Sequence, residues 1–298
     1  MEMWITITIA AAAIQTLRLL LQKRLKGLGL STGGATFARF FFNAPLLFLG
    51  LYLVVRWDGR PLPWPDSSFW PYVVVGGVTQ IIATFCTVAL FSERSFAVGV
   101  AFTKSETLLV AIFSAVILAE PVSWPGLVAI LIGMAGVIVL SRPPSGWGAG
   151  GLFNRAVGLG LTAGALFGVS AIGYRGATLA VYSDSALVRA MVSLAAVTLF
   201  QGVSMALWLQ WREPGEVAKV ARSWRSTLFV GLTGLAGSLG WFWAFALMNA
   251  AYVRSLGQIE LIFSLAVSVL FFREKVSGRE IAGIALLAAG IIGIVTVA

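Results

Sequence analysis

Residues 102–140 read FTKSETLLVAIFSAVILAEPVSWPGLVAILIGMAGVIVL, and residues 257–297 read GQIELIFSLAVSVLFFREKVSGREIAGIALLAAGIIGIVTV. A shift of 154 residues superposes Glu106 on Glu260, Glu120 on Glu274, Val122-Ser123 on Val276-Ser277 and Gly136 on Gly290, without a gap. Each stretch holds two long apolar runs separated by a break carrying charge and Pro or Gly. A spanning helix needs about 20 mainly apolar residues. Each stretch therefore predicts a pair of membrane helices, and the pair occurs twice.

The same punctuation extends through the whole chain. Apolar runs bounded by Pro, Gly and charge cover 3–22, 34–55, 69–91, 96–118, 123–141, 156–178, 184–209, 226–248, 252–272 and 279–297. None alternates with period two, as a transmembrane barrel strand would. In lipid such spans must be helices, which satisfy their own backbone groups. The expected fold is an all-α polytopic membrane protein, with ten transmembrane helices in two five-helix repeats, 1–145 and 146–298. Five is odd, so the second repeat enters the membrane inverted. The second and seventh spans match more weakly, with Arg39 over Arg189 at a shift of 150. Inverted repeats place a site near the midplane at the repeat interface and permit alternating access.

Composition agrees. Of 298 residues, 59% are apolar and 11% charged, and mean hydropathy is +0.93. Soluble domains carry about a quarter charged residues, and disorder requires low hydrophobicity. The lone Cys86 excludes a disulfide scaffold. The absence of histidine excludes His metal sites, Ser-His-Asp triads and His proton relays. The first span reads as a membrane anchor, because Lys23, Arg24 and Lys26 follow it and no basic residue precedes it. No metal site or cofactor motif occurs: the Gly146–Gly151 run follows no strand, and a Walker motif is missing.

The net charge of +9 sorts by side rather than pointing to nucleic acid. Loops after the odd-numbered spans hold Lys23, Arg24, Lys26, Arg94, Arg142, Arg155, Arg212, Lys219, Arg222, Arg225, Arg273, Lys275 and Arg279. The even loops hold only Arg56 and Arg60. Lys and Arg favour the cytoplasmic side, so the odd loops are expected inside and both termini outside. Trp57, Trp64, Trp70, Trp124, Trp208, Trp211 and Trp224 fall near span ends and read as the interfacial belt. Tyr174 and Tyr252 take the same interfacial reading.

The two Glu-x-Val-Ser stretches, Glu120–Ser123 and Glu274–Ser277, each follow one helix and precede a Gly-rich last helix. In this the chain resembles the EamA repeat of the drug/metabolite transporter superfamily, over essentially its whole length. The resemblance implies a bacterial inner-membrane carrier, often an exporter of amino acids or other small metabolites. It also implies cytoplasmic termini, the reverse of the charge count.

Ionisable groups inside a membrane cost about 2.5–3.5 kcal/mol on insertion scales and mark functional sites. Glu106 and Glu260 are the deep acids, with Lys104, Arg39, Arg189 and Arg254 the deeper bases. Gln258 takes the repeat position of Lys104. Gln80, Asn43, Trp241, Trp243 and Asn249 are further lining candidates. Arg18 and Arg175, nearer span ends, read as snorkelling. Two readings of the glutamates stay open. One is a polar cavity in which a carboxyl carries a coupling proton. The other is neutralisation by Arg39, Arg189, Lys104 or Arg254 in helix-to-helix ion pairs.

The expected function is secondary-active transport of small organic metabolites, with membrane lipid as surroundings, protons as a candidate coupling ion and a monomer as the default. A surplus of buried bases favours carboxylates, whereas the glutamates favour cationic compounds. Phosphorylated or sugar-linked metabolites form a third substrate class. A membrane-embedded transferase finds no clustered acids at a membrane face, and a channel finds no selectivity ring.

Overall fold

A computed structural model describes residues 2–25, 30–41, 43–59, 61–90, 102–141, 155–272 and 277–298. The described helices are α1 (Met3–Leu25), α2 (Thr32–Phe41), α3 (Asn43–Asp58), α4 (Phe69–Leu90), α5 (Glu106–Ile117), α6 (Trp124–Ser141), α7 (Arg155–Leu179), α8 (Ala186–Arg212), α9 (Glu216–Arg222), α10 (Trp224–Leu247), α11 (Ala250–Leu256), α12 (Glu260–Phe272) and α13 (Gly278–Val297). Among the described residues, the single strand-like feature is an isolated bridge between Pro65 and Val181. Six segments among the described residues are long and apolar enough to cross a membrane: Gly33–Trp57, Phe69–Thr87, Arg155–Leu179, Ala186–Arg212, Thr227–Leu247 and Gly278–Val297. Met3–Arg18, Glu106–Ile117 and Trp124–Leu140 are apolar but shorter. Large apolar side chains face outward along these helices, and Trp57, Trp64, Trp124 and Trp211 are more than 70% exposed. In water that surface would be a liability; against lipid it is the expected exterior.

Contacts group the chain into two compact units. One comprises Met1–Gly77 with Gly173–Leu247; the other comprises Val78–Ile172 with Met248–Ala298. Each unit draws on both halves of the sequence.

In the first unit α10 packs along α1, and α8 packs against α2, α3 and α10. Two loop contacts tie the ends. At one, the Ser31 N–H donates to Glu216 Oε2 at 3.0 Å and the Ser31 hydroxyl donates to Glu213. At the other, the Tyr182 hydroxyl donates to Asp66 Oδ2 at 2.9 Å, and the Asp66 N–H donates to the Ala180 carbonyl. Burial pushes the Glu216 carboxyl up, but the Lys219 ammonium, 2.5 Å away, and the Ser31 donors outweigh it. The net position is below the ordinary 4.5. A depressed carboxyl stabilises above its unfolded value and loses that contribution as pH falls through the folded one. Hydrogen exchange at the Ser31 amide, corrected for its intrinsic rate, is therefore expected to stay constant from pH 7 to 5 and accelerate below about 4.5. Glu216→Gln should remove that dependence; an unchanged pH profile in the variant would refute the assignment.

In the second unit α6 and α13 form the longest contact, and they run antiparallel. Leu140 meets Gly283, Gly136 meets Leu287, and Gly133 meets Gly290. Small residues let membrane helices approach this closely. The serines of both Glu-x-Val-Ser stretches begin these two helices. Ser277 makes a capping box with Glu280, its hydroxyl accepting the Glu280 N–H while Glu280 accepts the Ser277 N–H. Ser123 accepts the Gly126 N–H at 3.2 Å. Such caps satisfy donors that a helix start leaves without partners. Glu274 lies outside the described residues.

Two expected spans differ from continuous helices. In 96–118, residues 104–105 form a turn and α5 starts at Glu106. In 252–272, α11 ends at Leu256 and a 3-10 turn, Gly257–Ile259, precedes α12. Local chemistry accounts for both breaks. The Ser105 hydroxyl donates to the Phe102 carbonyl at 2.7 Å, competing with helix bonds. Gly257 is a poor helix former. A Cβ on Gly164 would sit 2.5 Å from Ser105 Oγ, so only glycine lets α7 pass this turn.

Candidate functional site

Both breaks sit immediately before a glutamate, and the glutamates open the following helices. An acid in the first turn is favoured by the positive end of the helix dipole. In the second unit these ends meet. Lys104 Nζ lies 2.5 Å from Glu260 Oε1, and Arg254 Nη2 lies 2.6 Å from Glu106 Oε1. Gln258 Nε2 donates to Thr107 Oγ1 at 2.6 Å. Glu106, Thr107, Thr103 and Gln258 are all buried. The cluster includes two crossed ion pairs and an amide–hydroxyl bond, with Glu260 also acting electrostatically on Arg254.

Beside it lies a void of about 10 Å³, bordered by Lys104, Thr107, Ser255 and Gln258 and closed by α6 and α13. Ser255 Oγ and Gln258 Oε1 are buried without a hydrogen-bond partner. Space for about one water is the smallest that can satisfy such groups.

Five of the sequence candidates, Lys104, Glu106, Arg254, Gln258 and Glu260, thus come together. Each glutamate faces one of the expected bases, Glu260 with Lys104 and Glu106 with Arg254. Gln80, also in this unit, accepts from the Ser170 hydroxyl at 2.8 Å. Arg189, Trp241 and Trp243 belong to the first unit. Arg189 Nη2 donates to the Ala246 carbonyl at 2.9 Å, and Trp241 Nε1 donates to Gln15 Oε1 at 3.1 Å. Trp243 is half-buried on the same helix as Trp241. Arg39 lies in α2, its side chain outside the described residues.

Four side-chain readings are corrected. Arg18 and Arg175 do not snorkel: both are buried, and Arg175 donates to the Phe245 carbonyl. Tyr174 and Tyr252 are not interfacial: both are buried. The Tyr174 hydroxyl accepts from Gln201, and that of Tyr252 accepts the Ser123 N–H at 3.1 Å. Asn249 begins α11, its Oδ1 accepting the Ala251 N–H and its Nδ2 donating to the Glu120 carbonyl. Asn directly before an apolar helical run is a legible start signal. The Thr107–Gln258 bond had no such signal, because it joins residues 151 positions apart.

The EamA-like transporter family matches residues 2–142 and, again, 154–296. The chain belongs to that family. The family is described as one of transporters, and the apolar helices above are suited to a membrane. A protein from a Sinorhizobium species, described as an uncharacterized transporter in the cobO 3' region, is 36% identical over 84 residues. That match covers 27% of this chain and 56% of the relative, so the chain spans little more than half of the relative's length. One solved crystal structure aligns with a TM-score of 0.69 over 97% of this chain and 94% of its own, at 16% identity. At that identity the likeness shows the fold alone.

Proposed function

We propose that this EamA-like chain is an alternating-access secondary carrier of ten spans in two inverted repeats, with the Lys104–Glu260 and Arg254–Glu106 pairs as its substrate and proton site. The observation that carries the reading is the paired break. Lys104–Ser105 and Gly257–Ile259 interrupt two helices at repeat-equivalent positions, since 104 shifted by 154 is 258. Discontinuous helices at matching places in two halves are the usual pointer to a transporter site.

The α6–α13 contact supports the inversion. Gly136 approaches Leu287, and the shift maps that contact onto Gly290 with Gly133, which also exists. A contact that maps onto its own reciprocal is what a local twofold produces, and the helices are antiparallel. Loop contacts support the threading: Ser31 with Glu213 joins two odd loops, and Asp66 with Tyr182 joins two even ones. The Lys and Arg excess on odd loops then favours both termini outside, in a bacterial inner membrane.

The ion pairs suit exchange of partners. A solute carboxylate substitutes for Glu260 at Lys104, or for Glu106 at Arg254, and a proton neutralises the glutamate released. Small organic metabolites such as amino acids or related carboxylates fit this substitution, and export is the direction we favour. Purified protein in liposomes is expected to move a labelled amino acid down an imposed gradient, faster with an opposing pH gradient. Glu260→Gln should abolish the pH-gradient effect. Pumping by Glu106→Gln and Glu260→Gln at wild-type rate and pH dependence would refute the site. Cationic dyes moving where carboxylates do not would favour the cation-exporter alternative.

A further inference from the structure

The first unit contains a cavity of about 830 Å³ that no part of the proposed transport site uses. It lies among the ends of α3, α7 and α8 and the loops 61–64 and 179–185. Its volume is in the range of small-molecule sites, about 300–1,000 Å³. Leu51, Val54 and Val188 give it an apolar wall, Trp64 and Tyr182 flank it, and Arg189 is the one cation among the described residues of its lining.

The electrostatics at Arg189 are unbalanced. Its Nη2 donates to the Ala246 carbonyl, and its Nε is buried without a hydrogen-bond partner. Among the described residues no carboxylate lies within ion-pair distance of it. The like charge of Arg175 acts on it, and Arg175 itself donates to the adjacent Phe245 carbonyl. Two guanidiniums thus share the C-terminal end of α10. The Arg189 guanidinium, with no carboxylate partner among the described residues and beside an apolar wall, is suited to an oxyanion on an apolar body, because Arg binds carboxylates through parallel N–H donors. Asp184, exposed and also on the lining, penalises a second negative charge on the ligand.

We propose that this cavity binds an organic monocarboxylate with an apolar body, its carboxylate on Arg189 and its body against Leu51, Val54 and Val188. The proposal concerns binding and stands whether or not the ion-pair cluster carries transport.

Full-length protein in phosphatidylcholine nanodiscs tests it, with phenylacetate as probe and phenylacetamide and phenethylamine as neutral and cationic controls. Phenylacetate is expected to raise the melting temperature saturably, with neither control doing so, since a ligand of the folded state raises apparent stability. Arg189→Gln should weaken phenylacetate about tenfold or more, as loss of a charge-assisted contact implies. Should that variant fold poorly, Val54→Trp fills the cavity with the charge intact and is expected to lose binding as well. Gly158→Ala, in the other unit and outside both sites, should bind phenylacetate as wild type does. Equal shifts from acid and amide, wild-type binding by Arg189→Gln or Val54→Trp, or binding of phosphatidate in place of phenylacetate would overturn the proposal.

Discussion

Glu106→Leu should destabilise the chain by about 3–5 kcal/mol and end transport. The partner left behind, Arg254, would keep its charge in a site where it is only 19% exposed and Glu106 is 8% exposed. Breaking a buried pair from one side costs about that much, because the remaining charge loses its nearest counter-charge and keeps only the more distant action of Glu260. Glu106→Gln should cost less, since its amide oxygen still accepts from the guanidinium. The double variant Glu106→Leu with Arg254→Leu should regain most of the loss, because an apolar pair of similar volume is often neutral or stabilising. Transport separates the two roles. The double variant is expected to be stable and inactive, since no group then remains to exchange with a solute carboxylate at that pair. Unfolding midpoints in one detergent, with uptake into liposomes, supply both readings. A single variant as stable as wild type would mean that the Arg254–Glu106 pair does not form.

The physics of burial explains which parts of this molecule were readable from the chain. Apolar run length made an all-α chain of apolar helices legible, because lipid leaves the backbone one hydrogen-bonding solution, though not where each helix starts and stops. The five charges and amides of the site, from Lys104 to Glu260, stood out for the same reason: each is costly in a membrane unless partnered. Their pairing was less legible. Arg254 is close to a span boundary, where snorkelling competes with pairing, and only the tertiary contact decides for Glu106. The interruptions at Lys104–Ser105 and Gly257–Ile259 were hidden for a different reason. Apolar periodicity runs through them, and one serine hydroxyl or one glycine suffices to break the ladder. The capping serines were legible in part, since Ser277 with Glu280 three residues later is a capping-box spacing. Tyr252 and Arg175 misled because distance from a span end says little about burial where another helix covers that end.

Alanine at Gly290 should act against its intrinsic propensity. In a helix interior the change ordinarily favours the helix by about 1 kcal/mol. Here the new Cβ would lie 2.5 Å from both Cα and N of Gly133, and 2.9 Å from the Ala129 carbonyl. Those are backbone atoms, which cannot rotate aside as a side chain would. Relief requires α6 and α13 to separate, and overpacking of this kind costs about 1–3 kcal/mol. Gly136→Ala should behave alike, its Cβ meeting Leu287 N at 2.5 Å and the Gly283 carbonyl at 2.7 Å. Gly133 provides the discriminating control. It faces Gly290 across the same crossing, yet its own Cβ would come no nearer than 3.8 Å to the Gly290 Cα. Gly133→Ala is therefore expected to be neutral or mildly stabilising. Gly158→Ala, on α7 with nothing within 4 Å, should stabilise by about 0.5–1 kcal/mol. Melting temperatures of the four variants would then split by sign, with 136 and 290 down and 133 and 158 level or up. A uniform rise would show that the helices are not in contact at this crossing. A uniform fall would show that glycine is required along these helices for a reason other than the direction of one Cβ.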